Sequence, residues 1–172
     1  MKKILSALAI GLGLLAGAAE KNPVFSDSFD SEANWYKNPA CKSPQFGGGG
    51  SHKIVPNGGS GKCLFVETNA KQTFMFNMRR SVPVVNGSRL RIVFLAKGKG
   101  KISINTMGSN GKQTKYLQNF YEIVNTETWE EIPFIIDFKD PKGLELKAFT
   151  MRINITPNSK LWIDSCVIRE MK

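Results

Sequence analysis

The sequence predicts an all-β protein, an antiparallel sandwich or barrel of short strands. Two observations carry that reading. Segments rich in Ile, Val, Phe and Thr alternate apolar and polar residues at period two, and turn signals such as Asn86-Gly87, Asn110-Gly111, Asp140-Pro141 and Pro157-Asn158 separate them. No segment carries the periodicity of an amphipathic helix, and Asp140 to Leu144 reads as one helical turn at most.

A leader precedes the first strand. Lys2 and Lys3 stand before the apolar stretch 4–19, which ends in Ala16-Gly17-Ala18-Ala19 and gives way to Glu20, Lys21 and Asn22. This is the pattern of a secretory signal peptide, and the apolar run is short for a membrane span. A lipid anchor needs a cysteine just after the small residues, whereas the first cysteine is Cys41. Residues 1–19 are therefore expected to be a signal peptide, and 20–172 one β-sandwich domain, secreted or periplasmic, with no membrane span. The stretch left is long enough to bury one core.

Residues 24–30 form a short first strand, and 31–62, with Pro39, Pro44, Pro56 and many glycines, read as a long polar loop. Further strands are expected over 63–68, 73–79, 89–97, 101–107, 115–124, 129–138, 144–156 and 160–170, with Gly98 to Gly100 a turn between two of them. Leu90, Ile92, Phe94 and Ala96 alternate with Arg91, Val93, Leu95 and Lys97. Ile132, Phe134, Ile136 and Phe138 alternate with Glu131, Pro133, Ile135 and Asp137, and Met151, Ile153 and Ile155 with Arg152, Asn154 and Thr156. In each set the apolar face belongs in the core and the mixed face suits either solvent or a hydroxyl-rich ligand. Strict alternation over 115–124 puts Tyr116 and Phe120 on one face and Tyr121 on the other. In the last strand unbroken alternation would put Trp162, Cys166 and Ile168 on one face with Asp164. An acid there needs a cation or hydrogen-bond donors, since burying it alone is costly.

The three cysteines leave one over in an oxidising compartment. Cys166 sits on an apolar face and is expected buried and reduced. Cys41, in the loop, is expected to pair with Cys63 at a strand start, the competing reading being three free thiols. The 24 basic residues against 14 acidic ones leave +10, or +8 once Lys2 and Lys3 leave with the leader. That surplus favours anionic partners such as acidic glycans. It is spread along the chain, and export speaks against nucleic acid.

Catalytic patterns are thin. His52 has no motif neighbour for a triad or a zinc site. Glu130 and Glu131 point to opposite faces of their strand, and Gly58-Gly-Ser-Gly-Lys62 lacks the spacing and following helix of a phosphate loop. The chain is read as a non-enzyme, a small polysaccharide lyase using Tyr and Arg being the enzymatic alternative.

Several stretches, in order, are similar to carbohydrate-binding modules of families four, nine, sixteen and twenty-two, within the galactose-binding-like jelly rolls. They are Phe29-Asp30 followed by Trp35, Gly61-Lys-Cys-Leu-Phe-Val66, Val84 through Ala96-Lys97 with Leu90 where an aromatic is usual, Thr128-Trp129 through Phe134, and Trp162-Ile-Asp164. The resemblance implies a single antiparallel β-sandwich, a jelly roll, acting as a non-catalytic, lectin-like module. Its partners would be a glycan or polysaccharide and, with no catalytic motif in the sequence, a separate enzyme or surface protein. It also implies a structural calcium between Asp30 and Asp164, the alternative being Asp164 hydrogen-bonded to turn amides. The binding residues it implies are aromatic platforms flanked by amide and guanidinium groups. Here these would be Trp35, Tyr36, Tyr116 and Tyr121 with Arg91, Gln118, Asn119, Arg152 and Asn154; Trp129 and Trp162 fall to the scaffold. An adhesion or assembly component that binds a protein partner is the other class.

Overall fold

The computed structural model describes residues 22–171 apart from 57 and 60, so the expected signal peptide lies outside the described residues. The strands are β1 (Phe25–Asp27), β2 (Trp35–Lys37), β3 (Ser51–Pro56), β4 (Lys62–Glu67), β5 (Phe74–Met78), β6 (Val82–Pro83), β7 (Arg89–Ser109), β8 (Thr114–Asp137), β9 (Ala148–Ile155) and β10 (Lys160–Met171). All their pairings are antiparallel. Two 3-10 turns, Pro39–Lys42 and Pro44–Phe46, follow β2. Among the described residues no helix is long and apolar enough to cross a membrane.

The strands form a sandwich whose two sheets share one long hairpin. The first half of β7 pairs with β10, which pairs with β4 and then β3. The second half of β7 pairs with β9, which pairs with β5 and then β2. β8 flanks β7 along its whole length, β1 adds to β10, and β6 adds to β9. We call β3-β4-β10-β7-β8 the first sheet and β2-β5-β9-β7-β8 the second. Their apolar faces meet in one core: Leu90, Ile92, Phe94, Ile163 and Ile168 from the first, Phe76, Ile102, Ile104 and Ile153 from the second.

Residues 97–101 are where the strand changes sheets, not the turn that their glycines suggest. A side chain on Gly98, whose φ is 116°, would put its Cβ 2.2 Å from the Lys160 carbonyl oxygen. On Gly100 it would lie 2.4 Å from Ser159 Oγ. Bare backbone is needed because β7 bends tightly against Ser159 and Lys160, where β10 begins. β8 follows with a bulge: Ala96 pairs with Glu130 but Gly98 with Thr126, so residues 127–129 swell out opposite Lys97.

The expected long loop over 31–62 contains β2 and β3. β3 went unread because its alternation is weak and it ends in Pro56, which an edge strand tolerates. β2 has three residues, too few to show a period.

Trp35 is a core residue, which corrects its expected role as an exposed platform. It is 0% exposed, with ring centroids 5.3 Å from Phe29 and 5.9 Å from Phe76. Phe29 reaches that stack from a left-handed backbone (φ 52°) held by the Asp27 carboxylate, which accepts its amide proton at 2.6 Å.

The cysteines correct a second expectation. Cys41, Cys63 and Cys166 are all buried, free thiols. Cys41 lies against Gly49, and the next residue, Gly50, abuts the Glu67 carbonyl at the far end of β4. That end is four residues from Cys63, about 13 Å along a strand and beyond the reach of a disulfide. Burial pushes the Cys166 thiol well up, helped by the charge of Asp27, and raises Cys63 less, helped by Asp164. Thiolate being the reactive form, Cys63 and Cys166 should resist alkylation at neutral pH in the native state. In denaturant without reductant all three should react, as mass spectrometry would show. Modification of one alone would restore the Cys41–Cys63 bond.

Candidate functional site

The outer face of the second sheet carries a polar row that crosses all five strands. Directly paired residues share a face, and register places Tyr36 (β2), Asn77 (β5), Arg152 (β9), Asn105 (β7) and Asn119 (β8) side by side. A second row beside it runs Asn154, Ser103, Tyr121. Five strands at about 4.8 Å spacing make the row roughly 19 Å wide, room for an oligosaccharide lying across them.

The amides hold one another in place. Asn77 Nδ2 donates to Tyr36 Oη at 2.9 Å, Asn154 Nδ2 to Asn105 Oδ1 at 3.0 Å, and Ser103 Oγ to Asn119 Oδ1 at 2.8 Å. Each pair spans neighbouring strands or rows, so the side chains are oriented before any ligand arrives. Arg152 sits at the centre of the row. Its Nε is shielded from solvent and has no hydrogen-bond partner among the described residues. A buried donor in that state is costly unless something else accepts from it.

Aromatic groups edge the row. Tyr116 and Tyr121 are 57% and 60% exposed. Lys101 Nζ lies 3.7 Å from the Tyr121 ring centroid, and the Arg79 guanidinium lies 5.5 Å from the Tyr36 ring. Simple alternation separates Tyr116 from Tyr121, but a second β8 bulge reunites them. Asn105 pairs with Asn119 while Met107 pairs with Tyr116, which takes up one extra residue and turns Tyr116 to the face of Tyr121.

Of the residues expected from the sequence, Tyr36, Tyr116, Asn119, Tyr121, Arg152 and Asn154 gather on this face. Gln118 lies in the bulge, its backbone clamped by Thr106 Oγ1. Arg91 is on the other sheet, ion-paired to Glu131 at 3.1 Å. Asn77, Asn105 and Ser103 were missed, although the alternation of Ser103 and Asn105 with Ile102 and Ile104 was there to read. Trp129 and Trp162 are half-buried on the outer face of the first sheet, where Lys97 Nζ lies 4.6 Å and 6.0 Å from their rings. His52 belongs to β3, bonded to Glu32 at 2.9 Å.

Asp30 and Asp164 border one glycine loop. A Cβ on Gly61 would lie 3.3 Å from Asp30 Oδ1, and one on Gly58 would lie 2.4 Å from Asp164 Oδ1. Asp30 accepts from Ser28 Oγ at 2.7 Å and from the Lys62 amide at 2.9 Å, bonds that hold its carboxyl below the usual range. Two carboxylates beside loop carbonyls are donors a calcium ion would accept. Among the described residues, though, no three His, Cys, Asp or Glu side chains converge on one point.

No protein-family model and no curated protein matches the sequence. Solved structures do match. The chain is similar to the CBM22-1–GH10 modules of Clostridium thermocellum endo-1,4-β-D-xylanase 10B, complexed with xylohexaose, at TM-score 0.60 and 13% identity over 87% of this chain. This chain spans 28% of the length of that one. It is also similar to the CBM22-2 xylan-binding domain of Paenibacillus barcinonensis Xyn10C, at TM-score 0.55 and 13% identity over 86% of this chain and 99% of that one. The chain has the β-jelly-roll fold of carbohydrate-binding modules. That fold also occurs beside catalysis: the enzymatically active domain of bacteriophage CBA120 tailspike protein 4 matches at TM-score 0.57 and 11% identity over 84% of this chain and 20% of that one. At such identities the likeness establishes the jelly roll and nothing about ligand.

Proposed function

We propose that this jelly roll is a secreted or periplasmic, non-catalytic glycan-binding module whose ligand lies across the outer face of the second sheet. The observation that carries the reading is the five-strand row Tyr36–Asn77–Arg152–Asn105–Asn119, at whose centre the buried Arg152 Nε has no hydrogen-bond partner among the described residues. Pre-set amides can bond sugar hydroxyls, and tyrosine rings can cover the apolar faces of sugar rings. The charge of +8 left once Lys2 and Lys3 are removed from the 24 basic residues set against 14 acidic ones favours acidic polysaccharides within that class. A separate enzyme or surface protein is the partner such a module would serve.

A glycan array on the whole protein tests this. Arg152→Ala should weaken binding of the preferred glycan about 10- to 100-fold, the equivalent of about 1.5–3 kcal/mol for hydrogen bonds from a charged donor. Tyr121→Ala should cost about fivefold, a stacking contribution near 1 kcal/mol. A selective neutral-glycan hit unaffected by either change would move the site off this face, and an array with no hit would favour a protein partner. Unsaturated ends released from a uronate polymer would instead make it a lyase.

Calcium between Asp30 and Asp164 belongs to the same proposal, as a scaffold ion away from the ligand row. Thermal melts with calcium and with chelator read it directly. A higher Tm with calcium, lost in Asp30→Asn, supports the ion; identical melts leave the loop held by its amides.

A further inference from the structure

The first sheet carries a row of its own, of different chemistry. Lys53 (β3) pairs with Phe65 (β4), Phe65 with Trp162 (β10), and Trp162 with Lys97 (β7), so these four share the outer face, with Trp129 in the bulge beyond Lys97. The Phe65 and Trp162 rings lie 4.8 Å apart. Lys53 Nζ stands 5.6 Å from the Phe65 centroid, while Lys160 Nζ stands 5.9 Å from Phe65 and 6.0 Å from Trp162. Lys97 lies between the two indoles.

A groove follows this row. On the hairpin side of Trp162 a cleft of about 730 Å³ is lined by Lys97, Lys99, Asn125, Glu127, Lys160 and the indole. On the other side a smaller one of about 250 Å³ is lined by Lys53, Phe65, Lys160 and the same indole. Lys160 and Trp162 are common to both, so the two clefts flank the same pair of side chains. The bend at Gly98 and the bulge at 127–129 open the larger half.

Charge here is one-sided. Lys53, Lys97 and Lys99 have no carboxylate partner among the described residues. Lys160 has one, Glu67 at 3.8 Å, a pair more than half exposed and so weak. Glu127 is the acid in the lining of the larger half. Ammonium groups held over aromatic faces set a cation beside an apolar wall, where a sugar ring can stack and a carboxylate be neutralised together.

We propose that this groove is a second saccharide site, separate from the amide row, and that it takes the carboxylate-bearing units of an acidic polysaccharide. A ring stacks on Trp162, and Lys97 and Lys160 bond its carboxylate. The proposal rests on the glycan-binding reading for its ligand class but on different residues, on the opposite outer face. A polymer engaged at both faces would be held with higher avidity than either contact allows.

Polygalacturonate is the probe, with its carboxyl-reduced form and a sulfated polymer as comparisons, in affinity electrophoresis and calorimetry on the whole protein. The test is made in the Arg152→Ala background, so that the amide row does not contribute. Polygalacturonate should still bind there, and adding Lys97→Gln with Lys160→Gln should weaken it about tenfold. Glutamine keeps much of the apolar stem, so the fold should survive; Trp162→Ala, checked for an unchanged melt, is the second variant. Binding should also fall as salt rises. Loss of polygalacturonate binding in Arg152→Ala alone would overturn the proposal, as would indifference to the lysine changes. Equal affinity for the carboxyl-reduced or sulfated polymer would overturn it too. The amide row fails or stands separately, on the neutral glycans of the array.

Discussion

Replacing Trp35 with alanine destabilises the protein by about 3–5 kcal/mol, the range for deleting a large aromatic from a packed interior. The indole is 0% exposed and lies between Phe29 and Phe76, with Phe25 edge-on at 6.0 Å, so neighbouring rings have little room to close the void. Its Nε1 is buried without a hydrogen-bond partner among the described residues. Phenylalanine at this position keeps most of the ring and removes that unsatisfied donor, so Trp35→Phe should cost less than about 1.5 kcal/mol. Urea midpoints of the two variants check this. Glycan affinity measured well below the midpoint should match that of the unchanged protein. A large loss of affinity with an unmoved midpoint would return Trp35 to the binding surface.

The second large effect is expected at Gly98. Gly98→Ala should cost about 3–4 kcal/mol through a disfavoured backbone combined with a direct clash. The comparison that isolates the clash is Gly87→Ala. Gly87 also has positive φ, 84°, but an added Cβ there meets nothing within 4 Å, whereas at Gly98 it lies 2.2 Å from the Lys160 carbonyl oxygen. Gly87→Ala should cost about 1–2 kcal/mol, the backbone part alone. If both variants shift the urea midpoint equally, close approach of β7 to the start of β10 does not constrain the fold. If Gly98→Ala is the worse, it should also disturb the Trp162 groove, whose lining includes Gly98, Lys97 and Lys160.

What could be read from the sequence depended on how local its cause was. Faces of strands followed from period two: Leu90, Ile92, Phe94, Met151, Ile153 and Ile155 are buried as their alternation requires. The turns at Asn86-Gly87 and Asn110-Gly111 needed only their own residues. Continuity through Gly98 was hidden, because a glycine that ends a strand and one that lets a strand pass close to its neighbour look alike in one dimension. The face of Tyr116 was hidden for a related reason: one extra residue in β8 shifts every later parity, and only the partner strand reveals it. Trp35 was misplaced because an aromatic in a polar neighbourhood looks exposed until Phe29 and Phe76, remote in sequence, are brought onto it. The proposed binding face was half visible. Arg152 and Asn154 stood out by alternation, while Asn77 and Asn105 became part of one row only through registers among β5, β7 and β9.

The pairing of β1 with β10 has a mechanical meaning. The Val24 amide donates to the Ile168 carbonyl, and Phe25, Ser26 and Asp27 face Ile168, Val167 and Cys166, so the described chain enters and leaves at the same end of one antiparallel ladder. Tension between those ends opens that ladder rung by rung, like a zip, instead of shearing all its bonds at once. β10 is secured by β4 and β7, so β1 is the element that peels first. Under a steady pull the outer faces of both sheets, built on strands further in, keep their shape while the entering segment comes away.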